Sequence, residues 1–291
     1  MNCNLCPRRC GINRKTDTGY CKMGDTVKIA KVMLHMWEEP CISGKKGSGA
    51  IFFSGCPLKC VYCQNVDISH GGYGKEYTVE TLSQEMLRLQ EMGACNINLV
   101  TPTHYADKVR QALDLIRGEL KIPVVYNTSG YELDSEIAKM AGYVDVFLTD
   151  MKYFSPEYSQ KYSKASDYYQ VAKGALAEML KIAPKCVFDE NGLMQKGVIV
   201  RHLVLPTLRK DSIAILQDLN DSFDISKLKL SLMAQYTPEF CSEQYPELGR
   251  KITTFEYSSV VNAAIELGYD GYIQDKSASS VKYTPNFREE D

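Results

Sequence analysis

The chain has no surplus of charge of either sign. Its 34 basic and 36 acidic side chains give a formal net charge of -2 over 291 residues, which excludes a protein that binds nucleic acid or an acidic membrane through excess positive charge. Long hydrophobic runs are missing too. No stretch approaches the ~18 apolar residues of a membrane span, so no membrane partner is expected. The opening Met1-Asn2-Cys3-Asn4-Leu5-Cys6-Pro7-Arg8-Arg9-Cys10 stands where a signal peptide would need an apolar run of ~7–15 residues, which points to the cytoplasm. A hydrophobic share of 44% with 24% charged residues is that of an ordinary folded protein with room for a full core.

What the sequence does hold is cysteine. There are eleven, an odd number, and a chain this large does not need disulfides to hold its core. In a reducing cytosol, clustered thiols read as metal ligands or reactive groups, so a metalloprotein is expected.

Residues 1–48 show little sustained period, and from Ala50 onward short apolar runs alternate with helical patterns. Strands are predicted over 50–54, 96–101, 124–128, 144–149, 198–205 and 229–233. Helices fall between them: one capped by Thr78 with Leu82, Met86 and Leu89 on a face, and others around Val109 to Ile116 and over 134–141, 167–182, 211–219 and 254–267. Asn191-Gly192 predicts a hairpin leading into the fifth strand. Six βα units make a parallel, barrel-like α/β domain. The organisation read from this is a Cys-rich extension, 1–48, a barrel domain, 49–280, and a partly disordered tail, 281–291. Ligands of such folds bind at the carboxyl ends of the strands.

Directly after the first predicted strand comes Cys56-Pro57-Leu58-Lys59-Cys60-Val61-Tyr62-Cys63, a C-x3-C-x2-C array whose three thiolates can converge on one site. A structural zinc site closes with four ligands, whereas a 4Fe-4S cluster held by three cysteines leaves one iron open for a substrate or cofactor. The cluster is the preferred reading.

With Tyr62 at the aromatic position, this array resembles the signature of the radical S-adenosylmethionine (SAM) superfamily. The resemblance runs over roughly residues 50–280 and is closest to the activating enzymes of glycyl radical enzymes, in a pyruvate formate-lyase activating enzyme-like branch. The segments Glu38-Glu39-Pro40-Cys41, Cys63-Gln64-Asn65, Val100-Thr101-Pro102-Thr103-His104, Arg201-His202-Leu203 and Met233-Ala234-Gln235-Tyr236 carry it. It implies a partial (β/α)6 barrel of the radical SAM type and an oxidoreductase. One electron from a 4Fe-4S cluster on Cys56, Cys60 and Cys63 would cleave SAM to methionine and a 5'-deoxyadenosyl radical. That radical would abstract hydrogen, in this branch from a glycine of a partner glycyl radical enzyme, with flavodoxin or ferredoxin as electron donor. The alternatives are a radical SAM enzyme acting on another peptide or small molecule, and a noncatalytic metal-binding scaffold.

The same resemblance assigns the cofactor residues. Tyr62 is expected near the adenine. Thr101 and Thr103 fall where most relatives carry Gly-Gly-Glu for the SAM amino group, and neither supplies a carboxylate. Asn127 and Ser129 lie in a segment resembling Asp-Thr-Asn-Gly, with Asn127 in place of the acid. Asp150 and Lys152 match an Asp-x-Lys motif near SAM that can help hold a monovalent cation. Arg201 matches an arginine near the SAM carboxylate, and Gln235 replaces a histidine.

A second array, Cys3, Cys6, Cys10 and Cys21, is spaced C-x2-C-x3-C-x10-C. Its readings are zinc, an auxiliary iron–sulfur cluster or no metal. Cys41, Cys95, Cys186 and Cys241 are isolated and read as loop or packing residues. His104 is a weak candidate for facing substrate. His202, on the opposite strand face from Arg201, reads as structural. The glycine-rich 44–49 precedes a strand and lacks the phosphate-loop pattern.

Overall fold

The computed structural model describes residues 3–241 and 243–274 together with Pro285 and Phe287. Its strands are β1 (Val27–His35), β2 (Ser48–Phe53), β3 (Lys75–Tyr77), β4 (Ile97–Val100), β5 (Val124–Thr128), β6 (Val146–Asp150), β7 (Val187–Phe188), β8 (Met194–Leu203), β9 (Lys229–Met233) and β10 (Gly271–Ile273). They form one sheet in the order β10-β9-β8-β6-β5-β4-β2-β1-β3, with β7 paired to β8. From β2 to β10 every neighbour along that order is parallel. Only β1, β3 and β7 run antiparallel to their partners. The fold is α/β with a mostly parallel sheet.

The inner strands β2, β4 and β5 are buried along their whole length, as parallel strands covered on both faces must be, and so they read as continuous apolar runs. The helix Val79–Glu91 starts at a capping box in which Thr78 and Thr81 satisfy each other's backbone N–H groups, and it turns Leu82, Met86 and Leu89 onto the core. Thr253 and Glu256 form a second such box at Thr254–Glu266.

The six predicted parallel strands all occur, two with the predicted bounds and the others shifted by one to four residues at their ends. The expected hairpin is β7–β8, with Gly192 at φ +76° and the Asp189 carboxylate accepting from the N–H groups of Asn191 and Leu193. A seventh parallel strand, β10, is three residues long and starts with glycine, too short for a pattern. Val27–His35, placed by the sequence in the amino-terminal extension, is instead a sheet strand paired with β2 from Ile29↔Phe53 to His35↔Ser48. Lys28 and Lys31 interrupt its apolar pattern and hid it. Among the described residues, the segment before the sheet is therefore 3–26. The predicted tail lies outside the described residues apart from Pro285 and Phe287, the latter packed edge-on against Phe52 at 5.3 Å. Among the described residues no helix is long and apolar enough to cross a membrane.

Candidate functional site

The strands converge on a cavity of about 590 Å³ at their carboxyl ends, within the usual range for a small-molecule site. Cys56, Cys60 and Cys63 line it together with Tyr62. So do Thr101 after β4, Asn127 and Ser129 at the end of β5, Asp150 and Lys152 at β6, Arg201 on β8 and Gln235 after β9. The loops after β2 and β9 touch across it. Gln64 Nε2 donates to the Gln235 carbonyl at 3.1 Å, and the Tyr62 and Tyr236 rings meet edge to face at 6.1 Å.

The cysteine loop leaves β2 through Gly55, at φ +84°. A side chain there would meet Met23 Cγ at 2.4 Å and the Cys21 carbonyl at 2.8 Å, so glycine is required. Each sulfur has a polar neighbour: the Leu58 N–H donates to Cys56 Sγ at 3.4 Å, the Ser163 hydroxyl donates to Cys60 Sγ at 3.0 Å, and Ser69 Oγ lies 3.2 Å from Cys63 Sγ. Ser163 has one proton and gives it to Cys60. It must then accept from Tyr153 at 2.8 Å, and Tyr153 from Tyr62 at 2.6 Å, a file of hydroxyls ending on a ligand sulfur. Burial pushes the Cys56 and Cys63 thiols up, so a positive metal centre is what would draw out their protons. Among the described residues no three Cys, His, Asp or Glu side chains converge on a single ion. A polynuclear cluster takes one thiolate per iron, and three cysteines on one loop are a donor set that suits it.

Charge in the cavity is arranged in two ion pairs side by side on β6 and β8, where Asp150 and Arg201 are in register. Lys152 Nζ lies 2.5 Å from Asp150 Oδ2. Burial alone would lower this ammonium, but Asp150 holds it well above the ordinary lysine value. Arg201 reaches Glu39 with Nε at 2.7 Å and with its terminal nitrogen at 2.5 Å, and it also contacts Glu38. Burial would raise Glu39, and Arg201 overrides it and holds the carboxyl low. Glu38 further accepts from Asn98 Nδ2 at 2.8 Å and Asn127 Nδ2 at 3.3 Å. Arg201, expected near a ligand carboxylate, lines the cavity and is engaged there by two protein carboxylates. Neither acid was singled out from the sequence. The available signal was two consecutive acids before Pro40, in a chain whose β1 had not been recognised.

Thr103, expected beside the ligand, does not line the cavity; its hydroxyl is buried and donates to Glu132 Oε1 at 2.5 Å, with Thr128 donating to the same oxygen. Burial pushes the Glu132 carboxyl up to about 7, against the two hydroxyls that lower it. Thr101 remains on the cavity at φ +60°, a strained value for a β-branched residue. His104 is buried with Nε2 2.7 Å from the Ser54 carbonyl, and burial lowers it to about 3. It joins the ends of β2 and β4 and does not line the cavity. His202 is likewise buried, its Nδ1 2.6 Å from the Met151 carbonyl. No described cysteine is in a disulfide. A more open hollow of about 640 Å³ lies around Arg209 and Arg250. The backbone N–H groups of Phe154, Ser155 and Thr207 there already bond to Asp211 and Glu256.

Fold and cavity together define an α/β protein with three cysteines on the loop after its first parallel strand, facing a polar, ion-paired pocket. Residues 50–188 match the family model described as the radical SAM superfamily. An uncharacterized protein of Methanocaldococcus jannaschii is 29% identical over 279 residues, 92% of this chain and 76% of that one. Three solved structures share the fold. A radical SAM methyltransferase from Sphaerobacter thermophilus has a TM-score of 0.51 and 12% identity, over 78% of this chain and 66% of that one. SuiB of Streptococcus suis bound to SAM has 0.51 and 11%, over 76% and 48%. A variant of spore photoproduct lyase has 0.51 and 14%, over 84% and 79%. The chain thus spans about half the length of SuiB.

Proposed function

We propose that this protein is a radical SAM enzyme that works as the activating enzyme of a glycyl radical enzyme, taking hydrogen from a glycine of that partner. The observation that carries the radical SAM reading is the convergence of Cys56, Cys60 and Cys63 on one cavity with Asp150, Lys152 and Arg201. When bound, the cluster and SAM would supply the one-electron cleavage that gives methionine and a 5'-deoxyadenosyl radical. The residues of the chain bind and shield. The three thiolates hold the cluster, and the Tyr62–Tyr153–Ser163 file fixes the loop around Cys60. The paired charges of Asp150 and Lys152 offer a ligand both signs at once in a site screened from water. Contacts between the loops after β2 and β9 support a sheet curled into a partial barrel. A flat sheet would hold those strands roughly 24 Å apart at ~4.8 Å per strand.

The choice of a glycine in a partner protein rests on the resemblance of Asp150-Met151-Lys152 to the activase motif. The electron donor would be a flavodoxin or ferredoxin. A monovalent cation at Asp150 is less well supported, because that carboxylate is paired with Lys152 and the Asn127 amide is turned to Glu38. The test is anaerobic reconstitution with dithionite and SAM, with 5'-deoxyadenosine quantified against Cys60→Ser. Product from the wild type that falls to background in the variant is expected. A fully iron-loaded wild type that binds SAM but forms no product, with or without glycyl radical enzymes, would overturn the proposal.

A further inference from the structure

Residues 3–26 contain neither helix nor strand element, yet backbone hydrogen bonds fold them into turns. Cys6 and Arg9 close one turn and Gly19 and Lys22 another, each through a backbone hydrogen bond of 3.0 and 2.8 Å. Both turns end on a non-glycine residue at positive φ, Arg9 at 42° and Lys22 at 63°, conformations that persist only where the surroundings impose them. Each turn carries cysteine: Cys6 opens the first, with Cys10 just after it, and Cys21 lies within the second. Gly19 sits between them, where a Cβ would be 3.5 Å from both Cys10 Sγ and Cys21 Sγ. The Tyr20 N–H donates to Cys10 Sγ at 3.2 Å, the same kind of contact that Leu58 makes to Cys56. Cys6 and Cys21 are buried.

A separate observation comes from the other side of this segment. Lys59, inside the first cysteine array, has a buried ammonium with no hydrogen-bond partner among the described residues. It lies 5.6 Å over the Tyr20 ring. A buried ammonium without a counter-charge is costly, and a set of thiolates around a metal centre carries net negative charge that would offset it.

We infer that Cys3, Cys6, Cys10 and Cys21 hold a second iron–sulfur cluster, seated against the loop of the first with Lys59 between them. Four thiolates also suit a zinc ion; a cluster differs from it in carrying iron and sulfide, which the test reads directly.

The inference does not depend on SAM cleavage, and its test reads metal rather than activity. The full chain and a Cys56→Ala/Cys60→Ala/Cys63→Ala variant are reconstituted anaerobically with iron and sulfide and compared by iron, sulfide and zinc content and by Mössbauer and electron paramagnetic resonance spectra. The wild type should hold more than the ~4 irons of one cluster. The variant should keep the excess with its own spectrum, and Cys6→Ser/Cys21→Ser should lose only that excess. The wild-type count is independent of whether either variant folds. A wild type with no more than about four irons, or with one zinc per chain that iron does not replace, overturns the inference.

Discussion

The two cysteine arrays adjoin each other and are held by different means. Cys56, Cys60 and Cys63 follow a fully buried strand, and the sheet fixes where their loop begins. Cys3, Cys6, Cys10 and Cys21 precede every regular element, and what fixes them comes from elsewhere in the chain. Arg8 donates to the carbonyls of Pro57 at 2.7 Å, Lys164 at 2.5 Å and Ser163 at 3.3 Å, and it stacks over Tyr20 at 4.1 Å. Arg14 reaches the His104 carbonyl at 2.5 Å. The difference teaches that a ligand array can take its geometry from a scaffold or from a few charged side chains clasping one. The first kind should fail with the sheet and the second with its clasps.

The strongest way to break the contrast is through the sheet. Arg201→Met leaves the buried Glu38 and Glu39 without their cation and should cost about 3–5 kcal/mol, read as a lower denaturation midpoint with loss of both arrays together. If only the amino-terminal segment loosens, the sheet is not what holds the first array. A smaller effect is expected from the clasp. Arg8→Ala should cost about 1–2 kcal/mol and speed amide hydrogen exchange before Val27 and in the loop Pro57–Cys63, with β4 to β6 unchanged. Equal exchange in both proteins would remove Arg8 from this role.

The smallest effect is a matter of pH. Glu132 binds its proton more tightly folded than unfolded, so stability is full below its ordinary value of 4.5 and declines as pH rises through about 7. Glu132→Gln keeps an acceptor for Thr103 and Thr128 and should flatten that decline. It should exceed the wild type at about pH 8 by at most ~3 kcal/mol. A wild-type midpoint that does not fall between about pH 5 and pH 8 would show that the carboxyl ionises freely.

Much of this was legible in the residues. Buried parallel strands announce themselves as apolar runs, so β2, β4, β5, β6, β8 and β9 were found, and the C-x3-C-x2-C spacing marked the site because its ligands are neighbours in sequence. The partners of Arg201 were not legible. Glu38 and Glu39 lie 163 and 162 residues away and reach it only because β1 joins the sheet, a strand whose lysines disguised it. The position of Thr103 was not legible for a related reason. Strand ends predict which loop faces a cavity, but the backbone bend at Thr101 decides which of its side chains do, and that turned Thr103 inward to Glu132.

The clasp by Arg8 also sets an order in time. Its acceptor on Lys164 is 156 residues away, and a ribosome adding about 5–20 residues per second needs roughly 8–30 s to cover that distance. Throughout that interval the amino-terminal cysteines lack this clasp. They stay open to oxidants and stray metals, and loading of their site belongs to the end of the chain's assembly.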